Sequence, residues 1–234
     1  MTRKTVGIIG GMGPHSTIRL FDLIVQRTPV IVESDHLHIL IDNFPQIPDR
    51  TAAILGKGPS PVPALQKSAR QLEHWGANLI AIACNTAHYF WKEIQQVVQI
   101  PVLNMIDLVA RRLQSMHQGR YILLATTGTV QSGLYQYYLP EGRLILPDEA
   151  TQQQIMQIIY GEGGVKQQGP TPVSRKRLLD IIHPFTILEP VAIIAGCTEI
   201  ELLLDDRVNG IPVVKPLVTL ADAVVSMAVE VTKK

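Results

Sequence analysis

Short apolar runs that end in glycine-rich or polar turns recur along this chain. The runs are Val6–Ile9, Leu37–Ile41, Leu79–Ala83, Tyr121–Ala125 and Val191–Ala195. Unbroken apolar runs of this length are typical of strands that are buried on both faces of a parallel sheet. Segments with helical character alternate with them, at about His15–Arg27, Ala64–Trp75, Ala87–Val98, Val130–Tyr138, Glu149–Ile159, Ser174–Ile182 and Leu217–Val231. The alternation predicts an α/β fold with mainly parallel sheets flanked by helices.

Glycines and prolines interrupt this pattern at three places. Asp42–Pro63 contains five prolines and two glycines, which predicts a long non-helical loop. Loops of this length in compact domains are usually lids or binding loops. Gly161–Pro172 is a second glycine- and proline-rich segment, and it contains Lys166. Gly76 directly follows a helical segment, as expected of a glycine that ends a helix.

Three landmarks recur along the chain at a nearly constant offset. Gly13 and Gly128 are 115 residues apart, Cys84 and Cys197 are 113 apart, and the Ile-Pro-Val triplets that begin at Ile100 and Ile211 are 111 apart. The offset predicts two pseudo-symmetric α/β domains, residues 1–104 with 215–234 and residues 105–214. We expect the two domains to face each other across a cleft, with the active site in that cleft.

The two cysteines of the chain, Cys84 and Cys197, each follow one of the apolar runs. They are therefore expected at the carboxyl ends of strands, where open α/β sheets bind their ligands. Thr86 and Thr198 come just after them and are predicted to cap the following helices. The partial positive charge of a helix N-terminus favours thiolate over thiol. One cysteine at a strand end is usually a small core residue, but two at matching positions of a repeat indicate function.

Composition excludes several classes of function. The chain has 234 residues, a formal net charge of +1 and only 5% aromatic residues, which argues against binding of nucleic acid. No stretch approaches the ~20 apolar residues needed to cross a bilayer. Two cysteines without a secretion signal predict a reduced, cytoplasmic protein with free thiols. The sequence has no cluster of His, Cys and carboxylate residues with zinc-site spacing, so no metal is expected.

Two symmetric thiols suit one kind of chemistry particularly well. Removing a proton from one face of a carbon and returning a proton to the other face requires an acid/base group on each side. A thiolate on one side abstracts while a thiol on the other donates, and the roles exchange in the reverse reaction. Hydroxyl and N–H groups after each strand are suited to hold a substrate carboxylate.

The chain resembles the aspartate/glutamate racemase family of cofactor-independent amino-acid racemases. The matching motifs are Gly10-Gly11-Met12-Gly13-Pro14, Pro48-Asp49-Arg50-Thr51, Cys84-Asn85-Thr86-Ala87-His88 and Gly196-Cys197-Thr198-Glu199, and they occur in the family's order. Glu199 stands where glutamate racemases have histidine, which is similar to the aspartate racemase branch. Some broad-specificity relatives replace the first cysteine with threonine, whereas this chain keeps Cys84.

The resemblance implies a role for each motif. Cys84 and Cys197 are the two bases, no cofactor is needed, and the substrate is a free acidic amino acid, aspartate first and glutamate second. The α-carboxylate is held by Asn85 and Thr86, by the turn Thr126–Thr129 with Gly128, and by Thr198. Arg50 and Lys166 bind the side-chain carboxylate, and enzymes of this family usually form homodimers. From its place in the glycine turn, Met12 either lines the cleft or only fills it. His88 either tunes the Cys84 thiol or caps the helix region, and Glu199 either polarises Cys197 or complements a helix dipole.

Other functions remain as alternatives. Decarboxylases and cis–trans isomerases of small carboxylic acids share the architecture and use a single thiol, and the fold alone does not select the reaction. A small-acid binding protein is the alternative outside enzymology, although paired thiols would have no purpose in it. A dinucleotide site at Gly11-x-Gly13-x-x-Ser16 with Asp42 is a minor possibility, because the glycine pattern is incomplete.

Overall fold

The computed structural model describes residues 3–116 and 119–229. The strands are β1 (Val6–Gly10), β2 (Ile39–Asn43), β3 (Leu79–Ile82), β4 (Tyr121–Leu123), β5 (Leu144–Ile145), β6 (Ala192–Ile194), β7 (Arg207–Val208) and β8 (Ile211–Val214). The α-helices are α1 (Pro14–Arg27), α2 (Arg50–Ile54), α3 (Val62–His74), α4 (Trp91–Gln95), α5 (Met105–Gln114), α6 (Thr127–Gln131), α7 (Glu149–Tyr160), α8 (Val165–Gln168), α9 (Pro172–Ile182), α10 (Thr198–Glu201) and α11 (Pro216–Ala228). Short 3-10 helices span Glu33–Asp35, Thr86–Phe90 and His183–Leu188.

Residue contacts divide the chain into two units. Unit 1 consists of Met1–Met105 with Leu217–Lys234, and unit 2 consists of Ile106–Pro216. The last helix, α11, therefore belongs to unit 1, and the Lys4 N–H donates a 3.0 Å hydrogen bond to the Ala228 carbonyl at its end. Each unit is an α/β structure with helices packed on its own sheet, as the alternating pattern predicted.

The sheet of unit 1 has the strand order β2-β1-β3, and all its pairs are parallel. Val102 adds an isolated parallel bridge to Ile80 of β3. All residues of β1 and β3 are buried, as expected of strands that are covered on both faces. One core cluster joins Ile9 and Ile82 of these strands to Leu65 and Leu72 of α3.

The sheet of unit 2 has the order β5-β4-β6-β8-β7, in which only β7 pairs in the antiparallel sense. Its core cluster joins β4 and β6 to α7 and α9 through residues such as Ile122, Ile155, Leu178 and Ile193. The two sheets correspond strand by strand, because β4, β5 and β6 repeat the arrangement of β1, β2 and β3.

The Ile-Pro-Val triplets take matching places in the two sheets. Val213 of β8 pairs with Ile193 of β6, while Val102 pairs with Ile80 of β3. Ile80 and Ile193 each stand four residues before a cysteine. The internal repeat inferred from the sequence is therefore a repeat of topology and register, although Val102 forms a single bridge where Ile211–Val214 forms a strand.

Several predicted elements are wrong in extent. The segment 42–63 is not free of helix: the Asp49 carboxylate accepts a 2.7 Å hydrogen bond from the Ala52 N–H and caps α2 within it. The segment 161–172, for which no element was predicted, contains α8. The helix predicted at 130–138 is the shorter α6, which ends before Gly133, a residue with φ of +67°. The helix predicted at 87–98 is a 3-10 helix followed by α4.

Other predictions hold apart from small shifts at their ends. β2 lies two residues later than its predicted run, and α3 begins two residues earlier than predicted. Gly76 follows α3 with φ of +96°, which confirms it as the glycine that ends this helix. In α1, Leu20 and Ile24 are buried, but Ile18 and Phe21 are 64% and 40% exposed despite their helical spacing. The last helix was predicted to extend to Val231, and residues 230–231 lie outside the described residues.

Candidate active site

Cys84 stands two residues beyond the end of β3. The Ala83 N–H donates a 3.0 Å hydrogen bond to the Ile9 carbonyl of β1, which continues the sheet to the residue before the cysteine. The thiol is 5% exposed and belongs to the core cluster that also contains Met12, Ile82 and Ala87. Within residues 3–116 and 119–229, no group forms a hydrogen bond with the Cys84 sulfur.

His88 is bound to the main chain of Cys84. Its ring Nδ1 lies 2.8 Å from the Cys84 carbonyl oxygen, and since a carbonyl only accepts, Nδ1 carries the proton. Burial lowers the pKa of His88 to about 4, against the effect of its hydrogen bonds to Cys84, Leu103 and Asn85. The ring is therefore neutral near pH 7. It fixes the backbone that carries the thiol and supplies no positive charge to the sulfur.

A glycine turn stands at the end of the neighbouring strand β1. Gly11 has φ of +86°, and a Cβ atom there would lie 2.4 Å from the main chain of Phe44. The Thr17 hydroxyl accepts a 2.9 Å hydrogen bond from the Gly11 N–H and donates one of 3.3 Å to the Gly13 carbonyl. Met12, between these glycines, is 1% exposed. The turn is thus closely packed, and its main chain is held by a side chain of α1.

Arg50, the first residue of α2, directs a buried guanidinium toward the same turn. Its nitrogens donate hydrogen bonds of 3.0, 2.9 and 3.4 Å to the carbonyls of Ile47, Pro48 and Met12. The arrangement therefore holds a cation near Met12, which is the kind of group that binds a carboxylate.

Cys197 occupies the corresponding position in unit 2. It lies three residues beyond the end of β6 and is the N-cap residue of α10. The Ala195 N–H donates a 3.0 Å hydrogen bond to the Val214 carbonyl of β8, so the sheet again extends almost to the cysteine. The thiol is 3% exposed.

A carboxylate contacts the Cys197 thiol directly. The sulfur donates a hydrogen bond to Glu199 Oε2 at 3.0 Å, and the Thr198 hydroxyl donates to the same oxygen at 3.2 Å. The other carboxylate oxygen, Oε1, lies 3.3 Å from Lys166 Nζ. Glu199 therefore connects an ammonium group in α8 to the thiol at the start of α10.

The charges of this network have opposite effects on its members. Burial and the Glu199 charge raise the pKa of the Cys197 thiol well above its usual value, while Lys166 acts to lower it. Burial acts to raise the pKa of Glu199, but Lys166 and the hydrogen bond from Cys197 outweigh it, so the pKa is lowered. At neutral pH Cys197 is a thiol beside an ionised carboxylate.

Two buried residues that the sequence did not single out lie near Cys197. Burial, then the charges of Glu201 and Cys197, raise the pKa of Tyr135 well above its usual value, so the phenol stays protonated. A Cβ atom on Gly196 would lie 3.3 Å from the Tyr135 ring, which shows how closely the ring packs against the cysteine's neighbour. Glu201 stands four residues after Cys197, as His88 does after Cys84, and this spacing was the signal that could have identified it.

The turn after β4 carries the remaining predicted residues. The Thr126 hydroxyl accepts a hydrogen bond of 3.3 Å from the Thr129 N–H and caps α6, and Gly128 lies in the first turn of this helix. The Gln152 amide donates to the Ala125 carbonyl at 2.9 Å. Since β4 and β6 are parallel neighbours, Thr126 and Cys197 stand at the same edge of the sheet.

Comparison with known proteins identifies the family. Residues 9–227 match the Asp/Glu/hydantoin racemase family. The chain belongs to this family.

Individual relatives agree with that assignment. The aspartate racemase of Picrophilus torridus superposes with a TM-score of 0.85 at 34% identity, over 96% of this chain and 94% of that one. The broad specificity amino-acid racemase RacX of Bacillus subtilis is 26% identical over 94% of this chain and 96% of its own. The glutamate racemase of Francisella tularensis has a TM-score of 0.65 at 17% identity, over 99% of this chain and 85% of that one, and shows a shared fold. The comparisons support an amino-acid racemase, and they leave its substrate to be proposed.

In this racemase-family chain, each unit gathers its own predicted residues. Unit 1 places Met12 beside Arg50 and includes both Met12 and Cys84 in one core cluster, with Asn85, Thr86 and His88 in the segment after the cysteine. Unit 2 joins Lys166, Glu199, Thr198 and Cys197 by hydrogen bonds. The predicted capping roles of two threonines are wrong, because Asn85 and Cys197 occupy the N-cap positions and Thr86 and Thr198 are the first helical residues.

The described part of the chain also bears on metals and membranes. Among residues 3–116 and 119–229, no three His, Cys, Asp or Glu side chains are grouped so as to hold a metal ion. No helix in these ranges combines the length and the apolar character required to cross a bilayer.

Proposed function

We propose that this racemase-family protein interconverts the L and D forms of a free acidic amino acid, aspartate first and glutamate second, without a cofactor. The observation that carries the proposal is the equivalent placement of two thiols just after the corresponding strands β3 and β6 of two repeated sheets. The similarity to an aspartate racemase at 34% identity supports aspartate as the first substrate.

Cys84 and Cys197 are the two acid/base groups in this proposal. In one direction the thiolate of one cysteine takes the α-proton, and the thiol of the other donates its proton to the opposite face of the same carbon. The S–H bond of the donor breaks as the new C–H bond forms, so each turnover exchanges the protonation states of the two cysteines. No oxidant or cofactor enters this balance.

The proposed substrate contacts follow from the hydrogen-bonding groups near each thiol. Asn85 and Thr86 after Cys84, Thr126–Thr129 after β4, and Thr198 after Cys197 supply the donors for the α-carboxylate. These donors also stabilise the negative charge that develops as the α-proton leaves.

Arg50 and Lys166 are proposed to select an acidic side chain, with Met12 lining the site. The Arg50 guanidinium is buried and donates hydrogen bonds to the carbonyls of Ile47, Pro48 and Met12, which hold a positive charge beside Met12. Binding a carboxylate to such a cation is favourable in a site from which water is excluded.

The unequal surroundings of the two thiols favour a second candidate. Only Cys197 donates a hydrogen bond to a carboxylate, and a decarboxylase or cis–trans isomerase of small carboxylic acids needs only one reactive thiol. In such an enzyme the second cysteine is dispensable. Relatedness to RacX also makes other amino acids relevant as substrates.

The test follows optical rotation of L-aspartate, and then L-glutamate, in deuterated water with no cofactor added. Wild type is compared with Cys84→Ala and Cys197→Ala, and circular dichroism checks that each variant is folded. We expect loss of rotation and entry of deuterium at the α-carbon in wild type alone. Unchanged rotation with both acids would reject the acidic substrate, after which neutral amino acids and small dicarboxylic acids are assayed. Racemisation that persists in either variant would reject the two-thiol mechanism.

A further inference from the structure

Lys166 has a position that substrate binding alone does not explain. Its Nζ lies 3.3 Å from Glu199 Oε1, and its side chain is 17% exposed while that of Glu199 is 4% exposed. The same ammonium lies 5.2 Å from the centre of the Tyr160 ring. An ion pair this well removed from water is stronger than a surface pair. Lys166 is therefore held against Glu199 before any substrate arrives.

Glu199 contacts both Lys166 and the Cys197 thiol. While Oε1 contacts Lys166, Oε2 accepts hydrogen bonds from the Cys197 sulfur at 3.0 Å and from the Thr198 hydroxyl at 3.2 Å. We propose that Lys166 is a positioning residue for Cys197: its ammonium holds the Glu199 carboxylate against the thiol and makes it easier for Cys197 to release its proton.

The electrostatics of the site agree in sign with this role. Burial and Glu199 raise the pKa of Cys197, and Lys166 is the charge that opposes them. Among residues 3–116 and 119–229, the charged groups that act on the Cys197 thiol are Glu199 and Lys166, and the neighbouring Tyr135 stays protonated and neutral. Loss of Lys166 therefore removes the positive charge that offsets Glu199.

This inference rests on the proposed function for its meaning, because a two-base racemase needs Cys197 as thiolate in one direction and as thiol in the other. An uncompensated carboxylate beside Cys197 would keep it protonated and would slow the direction that starts from the thiolate. Lys166 limits that effect without removing the hydrogen bond that orients the sulfur.

The test uses the fact that the chain has only two cysteines. In Cys84→Ala, a ¹³Cβ label on cysteine gives one resonance, and its chemical shift reports the ionisation of Cys197 alone. The resonance is titrated without substrate in this parent and in parents that also carry Lys166→Met, Lys166→Arg or Glu199→Gln. Circular dichroism is recorded over the same pH range.

Replacing Lys166 and replacing Glu199 should shift the titration midpoint of Cys197 in opposite directions. Lys166→Met moves the midpoint upward by about one pH unit, a tenfold loss of thiolate at a given pH. Glu199→Gln moves it downward, because the charge that raises it is gone. Lys166→Arg keeps the positive charge and leaves the midpoint close to that of the parent, which a purely structural role for the lysine stem would not require.

One outcome overturns the inference. A Lys166→Met midpoint equal to or below that of the parent shows that the ammonium does not act on Cys197. If Lys166→Met does not fold, Lys166→Gln replaces it with the same expectation. The titration needs no turnover, so a protein that fails to racemise aspartate still gives the result. If the enzyme racemises aspartate but Lys166→Met does not raise the midpoint, only the proposed role of Lys166 is rejected.

Discussion

The two cysteine sites differ in the residues that follow each thiol. In unit 1 the sequence after Cys84 is Asn85-Thr86-Ala87-His88, and in unit 2 the sequence after Cys197 is Thr198-Glu199-Ile200-Glu201. At the second position after the cysteine, unit 1 has Thr86 and unit 2 has Glu199. At the fourth position, unit 1 has the neutral His88 and unit 2 has Glu201. The main chain repeats, because both thiols follow the strand that pairs with the first strand of their unit.

The comparison of the two sites shows that the position of a thiol and the charges around it are determined by different parts of the sequence. Strand order and register determine where a thiol stands, and they are shared by both units. The charges beside the thiol come from side chains that are not shared, such as Glu199, two residues after Cys197. A repeated fold can therefore supply two thiols at equivalent positions while placing different charged groups beside them, and a carboxylate contacts the Cys197 thiol.

Replacing each cysteine in turn is the change expected to have the largest effect on activity. We expect Cys84→Ser and Cys197→Ser each to lower the rate of racemisation by roughly 10³-fold or more, because a hydroxyl is a far weaker acid and base at neutral pH. Each variant keeps one thiol, so each should still exchange the α-proton of one enantiomer with solvent, and the two variants should favour opposite enantiomers. Proton NMR in deuterated water measures the exchange.

The control for this pair is the double variant, which should exchange neither enantiomer. Exchange of the same enantiomer by both single variants would show that the two thiols do not act on opposite faces of the carbon. Equal exchange of both enantiomers by one variant would mean that a single thiol reaches both faces.

The glycine turn of unit 1 should be the most sensitive structural feature. Gly11→Ala places a Cβ atom 2.4 Å from the Phe44 main chain at φ of +86°. We expect a loss of roughly 3 kcal/mol or more in the free energy of unfolding, from backbone strain and overpacking. Urea denaturation measures it. Gly76→Ala is the matched control, since Gly76 also has a positive φ but has open space around it, and it should cost only about 1 kcal/mol.

Because His88 in unit 1 is buried in its neutral form, the free energy of unfolding should depend on pH. Burial lowers the pKa of His88 to about 4 in the folded protein, below its ordinary value of 6.5. The unfolded state therefore binds the extra proton first, and stability is lost as the pH falls from 6.5 toward 4. The full effect below pH 4 is about 3 kcal/mol. Urea titrations between pH 7 and 4 should show a smaller decline in His88→Gln than in wild type. An equal decline in both would show that the ring does not titrate as described.

Much of the fold was accessible from the sequence because the signals were local. The apolar runs before Cys84 and Cys197 are strands. The Ile-Pro-Val triplets, which repeat at a similar offset, pair with these strands at Ile80 and Ile193. Gly76 ended its helix as expected. Each of these signals depends on a few adjacent residues or on a repeat that is visible without coordinates.

The failures concern features that depend on side chains brought together by folding. The helix α2 forms in a proline-rich segment because Asp49 caps it, and proline count alone hides this. The ion pair of Lys166 with Glu199 joins residues 33 positions apart, and the Tyr135 ring packs on Gly196 from a separate segment. Neither contact has a local pattern, so only the folded chain reveals the charge around Cys197.

The smallest predicted effect compares the turns that follow the first strand of each unit. Thr126 caps α6 by accepting from the Thr129 N–H at 3.3 Å, so Thr126→Ala should cost about 1 kcal/mol of stability and Thr126→Ser much less. Thr17→Ala should cost about 2 kcal/mol, because it leaves the buried Gly11 N–H without the acceptor 2.9 Å away. Chemical denaturation measures both. A larger loss in Thr126→Ala than in Thr17→Ala would mean that the turn of unit 1, despite its closer packing, is the less dependent of the two on a side-chain hydrogen bond.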